Sequence, residues 1–425
     1  MKKFIIFLLL IVQNLYTWTS PETLTDSDLE SDAQNSCCAV NNNFKAVATW
    51  RSTNKSGVEK TRIAVSYYDG SSWTRSWLSI EDSNFSAYNP EVAISDYNNT
   101  AIVVWELRNS STAYYTVQAA FYNGSSWSSA ITLSEPSLNT KLPKVAMDEN
   151  GNAISVWRMQ NTTSPYTRSI KANYFNGSSW LLPGDVYHIG DSNGTQPKIA
   201  MNSEGNTMVL FEDNSFDYPI SSFYNHNLAW ASAWSTPQLV NSTSASYYSL
   251  AINSDNVSFA IWKNSSDFVQ VSAYDPDTTS WGTPESLTSG DTIIWSPNIS
   301  LNNSEKAIAA WIKCDTNSYV LAANYNGSVW SSSSAVSGAV DPRLAQSYDM
   351  LSMDSSGNGI IVWGDTDVRR VAYNSGSWES SAQLSSSAGA LATVSMNESG
   401  SAVSVWEDTT SGTIQTSLDE QSPPI

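Results

Sequence analysis

Short apolar runs recur along the chain, and polar turn-forming residues bound each of them. Residues 143–190 contain four such runs, which begin at Pro143, Ala153, Ser169 and Trp180. Alternating or β-branched runs of this length predict strands rather than helices. Asn176-Gly177, between the third and fourth runs, predicts a type I′ hairpin in which both residues have positive φ. The unit is therefore predicted to be one antiparallel sheet of four strands.

Two series of aromatic residues show that this unit is repeated eight times. The inner series closes the second run of each unit: Trp50, Trp105, Trp157, Phe211, Trp262, Trp311, Trp363 and Trp406. The outer series opens the fourth run: Trp18, Trp73, Trp127, Trp180, Trp234, Trp281, Trp330 and Trp378. A period of about 50 residues is typical of propeller blades. The second run is apolar throughout, as in Ala101–Trp105, so a neighbouring sheet must cover each of its faces.

The two ends of the chain complement each other. The last unit, Thr393–Leu418, has three runs and lacks an outer tryptophan, whereas Trp18–Thr25 closely parallels the fourth run at Trp281–Thr288. A solenoid would instead need atypical polar repeats at its ends. We therefore predict an all-β fold: an eight-bladed β-propeller of four-stranded antiparallel blades, its ring closed by the N-terminal strand completing the C-terminal blade.

The first residues have the pattern of a signal peptide. Lys2 and Lys3 precede an apolar stretch, Phe4–Val12, which is too short to span a bilayer. We predict a signal peptide over 1–16, one propeller domain over 17–418 and a disordered tail over 419–425. The protein is then expected to be secreted, or to reside at the cell surface or in the periplasm, without a transmembrane anchor.

Composition narrows the range of partners. The formal net charge is −19 and only 14% of residues are charged, so nucleic acid is not expected as a partner. The protein is expected to be a monomer, with a glycan or a protein as its candidate ligand. Three cysteines cannot form a disulfide framework. Burial of Cys37, Cys38 and Cys314 as small apolar residues is favoured over a bridge from Cys314 to either of the others.

Charged residues follow the inner aromatic residues around the predicted ring. They are Arg51, Glu106, Arg158, Glu212, Lys263 and Glu407, with Lys313 and Asp365 one place later. Equivalent positions on successive blades should lie close together. Because their signs largely alternate, we favour an inter-blade charged belt over a central cluster that performs chemistry.

The loops between second and third strands are long and variable, and loops on a rigid scaffold commonly carry recognition. Together with the tryptophans outside the two series, their aromatic residues are the binding candidates: Tyr114, Tyr115, Tyr166, Phe216, Tyr218, Trp77, Trp230 and Trp295. Exposed rings beside Asn, Asp and Ser would suit sugars. The alternative is that the tyrosines pack back onto their own loops.

Metal and catalytic signals are weak. His188 and His226 lack ligand partners at a recognisable spacing. Asp148–Asn152 and Asp354–Asn358 fit β-turns better than calcium loops, since the spaced ligand run is missing. The sequence predicts no metal, no cofactor and no catalytic residues.

The repeat Gly-Asn-Ala-Ile-x-Val-Trp at Gly151–Trp157, echoed at Gly357–Trp363, resembles repeats of large bacterial secreted propellers. The blade also resembles sialidase-like and lectin propellers, but the sialidase Asp-box and arginine triad are not matched. This resemblance implies architecture only. We expect a secreted or surface scaffold that binds glycans or proteins through loops on one face. One alternative is a glycoside hydrolase or lyase that uses carboxylates among Glu106, Glu212, Asp213 and Glu407; another is a structural surface protein without a ligand.

Overall fold

A computed structural model describes most of the chain. The described residues are 17–54, 60–79, 82–162, 167–187, 194–213, 217–288, 293–314, 317–341, 345 and 349–421. Among them, no helix is long and apolar enough to cross a membrane.

In the described part of the chain, thirty-four strands form eight antiparallel sheets, which confirms the predicted eight-bladed architecture. The chain first contributes β1 (Glu22–Thr23). Blade 1 contains β2 (Glu30–Val40), β3 (Ala46–Asn54), β4 (Thr61–Tyr68) and β5 (Trp73–Trp77). Blade 2 contains β6 (Phe85–Ile94), β7 (Ala101–Asn109), β8 (Tyr115–Tyr122) and β9 (Ile131–Thr132). Blade 3 contains β10 (Asn139–Met147), β11 (Ala153–Gln160), β12 (Arg168–Phe175) and β13 (Gly184–Tyr187). Blade 4 contains β14 (Gly194–Met201), β15 (Thr207–Asp213), β16 (Tyr218–Tyr224) and β17 (Gln238–Leu239).

The second half follows the same plan. Blade 5 contains β18 (Ala245–Ile252), β19 (Ser258–Asn264), β20 (Val269–Asp275), β21 (Ser280–Trp281) and β22 (Glu285–Ser286). Blade 6 contains β23 (Ile293–Leu301), β24 (Ala307–Cys314), β25 (Tyr319–Tyr325) and β26 (Ser334–Ala335). Blade 7 contains β27 (Leu351–Met353), β28 (Gly359–Gly364), β29 (Val368–Asn374), β30 (Ser377–Trp378) and β31 (Ala382–Ser385). Blade 8 contains β32 (Gly389–Met396), β33 (Ala402–Asp408) and β34 (Thr413–Asp419). Short 3-10 turns lie at Tyr97–Asn99 and Trp230–Ser232.

The blades form a closed ring around their first strands. The first strand of each blade touches that of the next, and β32 of blade 8 touches β2 of blade 1. As predicted, the N-terminal segment supplies the outer strand of blade 8: Glu22 and Thr23 of β1 pair with β34. Thr19 N and Leu24 N donate to the carbonyls of Leu418 and Ile414. The predicted tail begins inside a strand, since β34 extends to Asp419; residues 422–425 are outside the described part.

Apolar faces of neighbouring sheets bury the inner aromatic residues. All eight have at most 1% of their surface exposed, and most pack in clusters that join two blades. The outer tryptophans lie against the aromatic end of the third strand of their own blade. From Tyr68–Trp73 to Tyr373–Trp378, seven such pairs have ring centroids 5.0–5.6 Å apart. Both aromatic series are therefore architectural.

The hairpin that precedes the outer tryptophan differs from the predicted type I′ turn. Gly177 has φ +84°, but Asn176 does not have positive φ. Instead, Asn176 N donates to Ser179 O, and its Oδ1 accepts hydrogen bonds from the amides of Ser178 and Ser179. The asparagine side chain thus closes a four-residue loop, and the prediction of a two-residue turn was wrong for this reason.

In seven blades the first strand begins earlier than the sequence suggested and contains a β-bulge. One residue of the bulge adopts positive φ in seven blades: Asn35, Asn89, Leu142, Gln196, Tyr247, Ser296 and Leu391. The register shifts at each of these points. In four blades a proline follows, and its missing N–H is tolerated where the ladder is already broken.

Turns between first and second strands connect neighbouring blades. Asn202 caps its own turn by accepting from the amides of Glu204 and Asn206, while its Nδ2 donates to the carbonyl of Asn253 in the next blade. Asn397 repeats this contact across the seam, donating to Asn41 O of blade 1. These hydrogen bonds hold the blades in a common plane.

Candidate functional site

One face of the ring carries the loops between second and third strands and the segments leading into the first strands. We call it the loop face; the opposite face carries the tight turns. On the loop face, Tyr88 just before the β6 bulge and Tyr115 at the start of β8 lie with ring centroids 6.1 Å apart. Tyr114, 37% exposed, adjoins them. This places two of the predicted binding residues, Tyr114 and Tyr115, in one cluster.

Cations from three blades surround these tyrosines. Lys141 Nζ lies 3.7 Å from the centroid of the Tyr115 ring, and Arg108 Cζ lies 6.0 Å from it. Arg51 Cζ lies 5.5 Å from the centroid of Tyr88. Such contacts are favourable, and they hold the rings in place. We call Arg51, Tyr88, Arg108, Tyr114, Tyr115, Lys141 and Arg158 the tyrosine–cation patch.

Within this patch, Lys141 and Arg158 face each other across adjacent strands, as Cα partners in the β10–β11 register. Burial, followed by the charges of Arg158 and Arg108, lowers the pKa of Lys141 despite the attraction of Glu106. Burial and then Arg168 lower the pKa of Arg158. The surroundings of Lys141 and Arg158 therefore disfavour the charged forms of both side chains.

Other predicted binding residues lie elsewhere. Tyr218 begins β16 in blade 4, while Tyr166 and Phe216 are outside the described residues. Trp295 is half-buried and packs against the apolar cluster between blades 6 and 7. Trp230 lies on the turn face, where its Nε1 donates to Leu182 O and its ring packs against Tyr174, Tyr224 and Trp234.

Trp77 lines a groove on the outer edge of blades 1 and 2. The groove encloses about 700 Å³, and Tyr67, Tyr122 and Trp127 also line it. The guanidinium carbons of Arg62 and Arg75 each lie 4.5 Å from the centroid of the Trp77 ring. Trp77 therefore lies away from the patch.

Several residues of the predicted charged belt bind backbone rather than opposite charges. Glu106 Oε1 accepts the amide of Leu142 in the next blade's bulge, and Glu407 Oε1 accepts the amide of Asn35 in the same way. Arg51 donates to Gln34, and Lys263 pairs with Asp267 in its own hairpin. Across blades, Arg51 lowers the pKa of Glu407 against the larger effect of burial, which raises it.

A charged cluster at the centre of the ring was missed by the sequence analysis. Glu91, Lys144 and Lys198 follow the bulge in blades 2, 3 and 4; Lys144 pairs with Glu91. Burial, with the neighbouring charge of Lys144, lowers the pKa of Lys198 to about 8. The signal was available, since each of these charges directly follows a proline of the first strand, where the corresponding residues of other blades include Ser249 and Asn298.

The central cluster also brings together three potential metal ligands. Atoms of Cys37, Glu91 and Asp349 lie within 4.8 Å of one another. However, burial raises the pKa of the Cys37 thiol well above its usual value, and Glu91 already forms an ion pair with Lys144. A thiol that resists deprotonation is a poor ligand, so this arrangement fits a resident metal badly. Cys37 and Cys38 are free thiols, and Cys37 is buried.

Both aspartate-rich turns serve as turns, as the sequence favoured. Asp148 Oδ1 accepts the amides of Asn150 and Asn152, and its Oδ2 accepts Asn152 Nδ2. Asp354 repeats the contacts with Asn358. Their oxygens are thus committed to the backbone and to side chains of the turn.

The fold defines the chain as an eight-bladed β-propeller. No family model and no curated protein sequence matches the chain. Among solved structures, the Dos1 propeller superposes with a TM-score of 0.53 at 9% identity, over 94% of each chain. A PL25 ulvan lyase gives a TM-score of 0.49 at 11% identity, over 92% of this chain and 94% of the lyase.

The Hadza microbial sialidase Hz136 gives a TM-score of 0.42 at 12% identity, over 66% of this chain. That superposition spans 63% of the sialidase's own length. At these identities the likeness shows the propeller fold alone.

Proposed function

We propose that this protein is a secreted binding scaffold that recognises glycans through the tyrosine–cation patch on its loop face. The observation that carries the proposal is the Tyr88–Tyr115 pair, held by cations and flanked by the exposed Tyr114. Aromatic rings that are held by their neighbours lose little entropy on binding, which favours them as contact residues.

Polar groups beside the rings support a sugar as the ligand. The loop between β7 and β8 contains Asn109, Ser111 and Thr112, and the last two are exposed. The Asn109 side chain caps this loop by accepting the amides of both residues. Their hydroxyls and the donors of Arg108 and Lys141 therefore lie on ordered backbone near the tyrosines. Apolar rings beside several fixed donors and acceptors suit a ligand that has both C–H faces and hydroxyls.

The hydrolase or lyase alternative has less support. Glu106 is 2% exposed and, like Glu407, is bound to a backbone amide, which leaves it poorly placed to reach a substrate. Two carboxylates about 5–9 Å apart across an open pocket would be needed for glycoside hydrolysis.

Binding of the purified protein to an oligosaccharide array, followed by calorimetry on the ligands found, tests the proposal. Tyr115→Ala should weaken binding by about tenfold or more, because truncating a central aromatic contact typically costs over 1 kcal/mol. Tyr97→Ala is the matched control, since Tyr97 is 54% exposed but lies on the turn face.

If no oligosaccharide on the array binds the protein, the proposal is contradicted. Equal losses in the Tyr115 and Tyr97 variants would contradict the assignment of the site.

A further inference from the structure

We infer that the ligand presents an anionic group, a carboxylate or a sulfate ester, to Lys141 and Arg158 where blades 2 and 3 meet. This inference rests on the proposed function and names the chemical class of its ligand. It starts from the strand register: Lys141 and Arg158 are direct neighbours on β10 and β11. Like charges directly opposite each other destabilise a sheet, so the pair needs a compensating charge.

Within the described part of the chain, one carboxylate supplies that compensation. Glu106 is the carboxylate whose charge acts on both Lys141 and Arg158. It is buried and its Oε1 accepts the amide of Leu142. Arg108 and Arg168 add further positive charge around the pair. Among the described residues, Glu106 is thus the carboxylate whose charge acts on Lys141 and Arg158, a pair that also experiences the charges of two further arginines.

This concentration of positive charge is unusual in a chain that has 40 acidic and 21 basic side chains. Three other lysines have carboxylate partners: Lys144 pairs with Glu91, Lys171 with Asp185 and Lys263 with Asp267. Lys171 lies on β12 of the same blade as Lys141. Carboxylates are therefore abundant in this protein. The Nζ of Lys141, in contrast, lies against the Tyr115 ring.

Arg158 also has a hydrogen-bond donor that is not satisfied within the described part of the chain. The Nε of Arg158 is buried and has no hydrogen-bond partner among the described residues. Leaving a charged donor buried without an acceptor costs free energy. An oxyanion has several acceptor oxygens and would serve the guanidinium and the ammonium together, because charge-assisted hydrogen bonds to both are strong.

Tyr115 explains why the anion would be a substituent of a sugar. Lys141 Nζ lies over one face of the Tyr115 ring, so a pyranose that packs against the edge of this ring would hold an acidic substituent near the ammonium. Burial and neighbouring cations lower the pKa values of Lys141 and Arg158, and a bound anion would reverse that effect. A carboxylate and a sulfate ester share this chemistry.

Calorimetric titration with three probes of equal length tests the inference: an oligogalacturonate, a sulfated galactan oligosaccharide and a neutral galactan oligosaccharide. We expect at least one acidic probe to bind about tenfold or more tightly than the neutral one. Lys141→Met should remove that preference, and Arg158→Gln provides a second variant. Lys263→Met is the matched control, because Lys263 occupies the position of Arg158 in blade 5 but has Asp267 as its partner.

The free protein provides a second readout. Lys141→Met should weaken binding of the acidic probe without lowering the melting temperature of the free protein, because the relieved repulsion from Arg158 offsets the lost contact with Tyr115. A purely structural lysine would lower the melting temperature.

The outcomes separate the inference from the proposed function. Equal binding of neutral and acidic probes, unchanged by Lys141→Met, overturns the anionic class but leaves glycan binding intact. Equal losses in the Lys141 and Lys263 variants would show unspecific attraction and also overturn it. Failure of every oligosaccharide to bind the unchanged protein overturns the proposed function itself. Which acidic probe binds decides between carboxylate and sulfate.

Discussion

Lys144 and Lys198 occupy the same position on adjacent first strands, yet their surroundings act on them in opposite directions. Lys144 has Glu91 as its ion-pair partner. Although burial lowers the pKa of Lys144, the charges of Glu91 and Asp349 raise it. Lys198 lies next, and the charge of Lys144 adds to the burial that lowers its pKa to about 8. One position of the repeat thus contains a stabilising and a destabilising lysine.

We therefore predict that Lys198→Met stabilises the protein at pH 7. In the unfolded chain a lysine stays protonated to about pH 10.5, but folded Lys198 only to about pH 8. Between these values the unfolded state binds more protons, so the wild-type protein gains stability as the pH rises. The advantage of Lys198→Met should be complete below pH 8 and should shrink between pH 8 and 10.5. Urea unfolding at pH 7, 9 and 10.5 measures it.

Lys144→Met is the control for this prediction. It leaves Glu91 half-buried without its partner and should lower the free energy of unfolding by about 1–3 kcal/mol at pH 7. Equal changes in the free energy of unfolding for the two substitutions would refute the difference between the surroundings of Lys144 and Lys198. A stabilisation by Lys198→Met that does not depend on pH would refute it as well.

At this scale the sequence was only partly informative. Lys144 and Lys198 follow prolines and break the polar pattern of that position, so a closer comparison of the repeats would have marked them. Asp349, in contrast, comes from the irregular segment before β27 and has no counterpart in the repeat. Tyr114 and Tyr115 were predicted as binding residues, but the cations that contact Tyr115 and its neighbour Tyr88 come from three separate blades, so their proximity depends on how the blades pack.

Single elements explain how the blades stay aligned. The turn between a first and a second strand begins with an asparagine whose Oδ1 caps its own turn and whose Nδ2 reaches the next blade, as in Asn202 and Asn397. The oxygen serves local structure and the nitrogen serves assembly. Aspartate can fill only the first role, as Asp148 and Asp354 do.

Asn202→Asp separates these roles. The variant keeps acceptors for the amides of Glu204 and Asn206 but replaces the donor to Asn253 O with an oxygen. We expect a loss of about 1–3 kcal/mol in the free energy of unfolding, since two acceptors then face each other in a buried place. Chemical denaturation of both proteins at pH 7 measures the loss.

Asn123→Asp is a matched control in blade 2. Asn123 Oδ1 accepts the amides of Ser125 and Ser126, and Asp69 makes the equivalent contacts in blade 1. The change should stay within about 0.5 kcal/mol. A similar loss in both variants would mean that the nitrogen of Asn202 contributes nothing specific.

Elements were predicted more reliably than their details. The strands follow from alternation and from the aromatic series, which report on burial directly. The bulges at Asn89 and Leu142 could not be predicted, since a bulge is defined by the pairing of two residues against one and that pairing is not visible along one strand. The turn at Asn176 was misjudged because its side chain competes with the backbone pattern that Asn-Gly usually adopts.

At the scale of the whole molecule, the ring is closed by residues from both ends of the chain. Residues 17–24 run along β34: Thr17 N donates to Asp419 Oδ1, Thr19 N to Leu418 O, and Leu24 N to Ile414 O. Leu24 is buried in the cluster that joins blades 8 and 1, whereas the half-buried Trp18 packs against the cluster of blades 7 and 8. This outer strand therefore connects three blades through side chains as well as through the backbone.

Removing that strand should weaken the ring as a unit. We predict that Leu24→Ala lowers the free energy of unfolding by about 2–5 kcal/mol, as expected when a buried leucine is truncated. Removal of residues 1–25 should lower it further, because the edge of β34 then loses its hydrogen-bond partners and both clusters lose a side chain. Removal of residues 1–16 is the control and should leave the unfolding midpoint unchanged, since the strand remains complete. Urea unfolding followed by tryptophan fluorescence gives the midpoints, and amide exchange along β34 localises the effect. Equal midpoints for the two truncated proteins would show that the ring closes without its N-terminal strand.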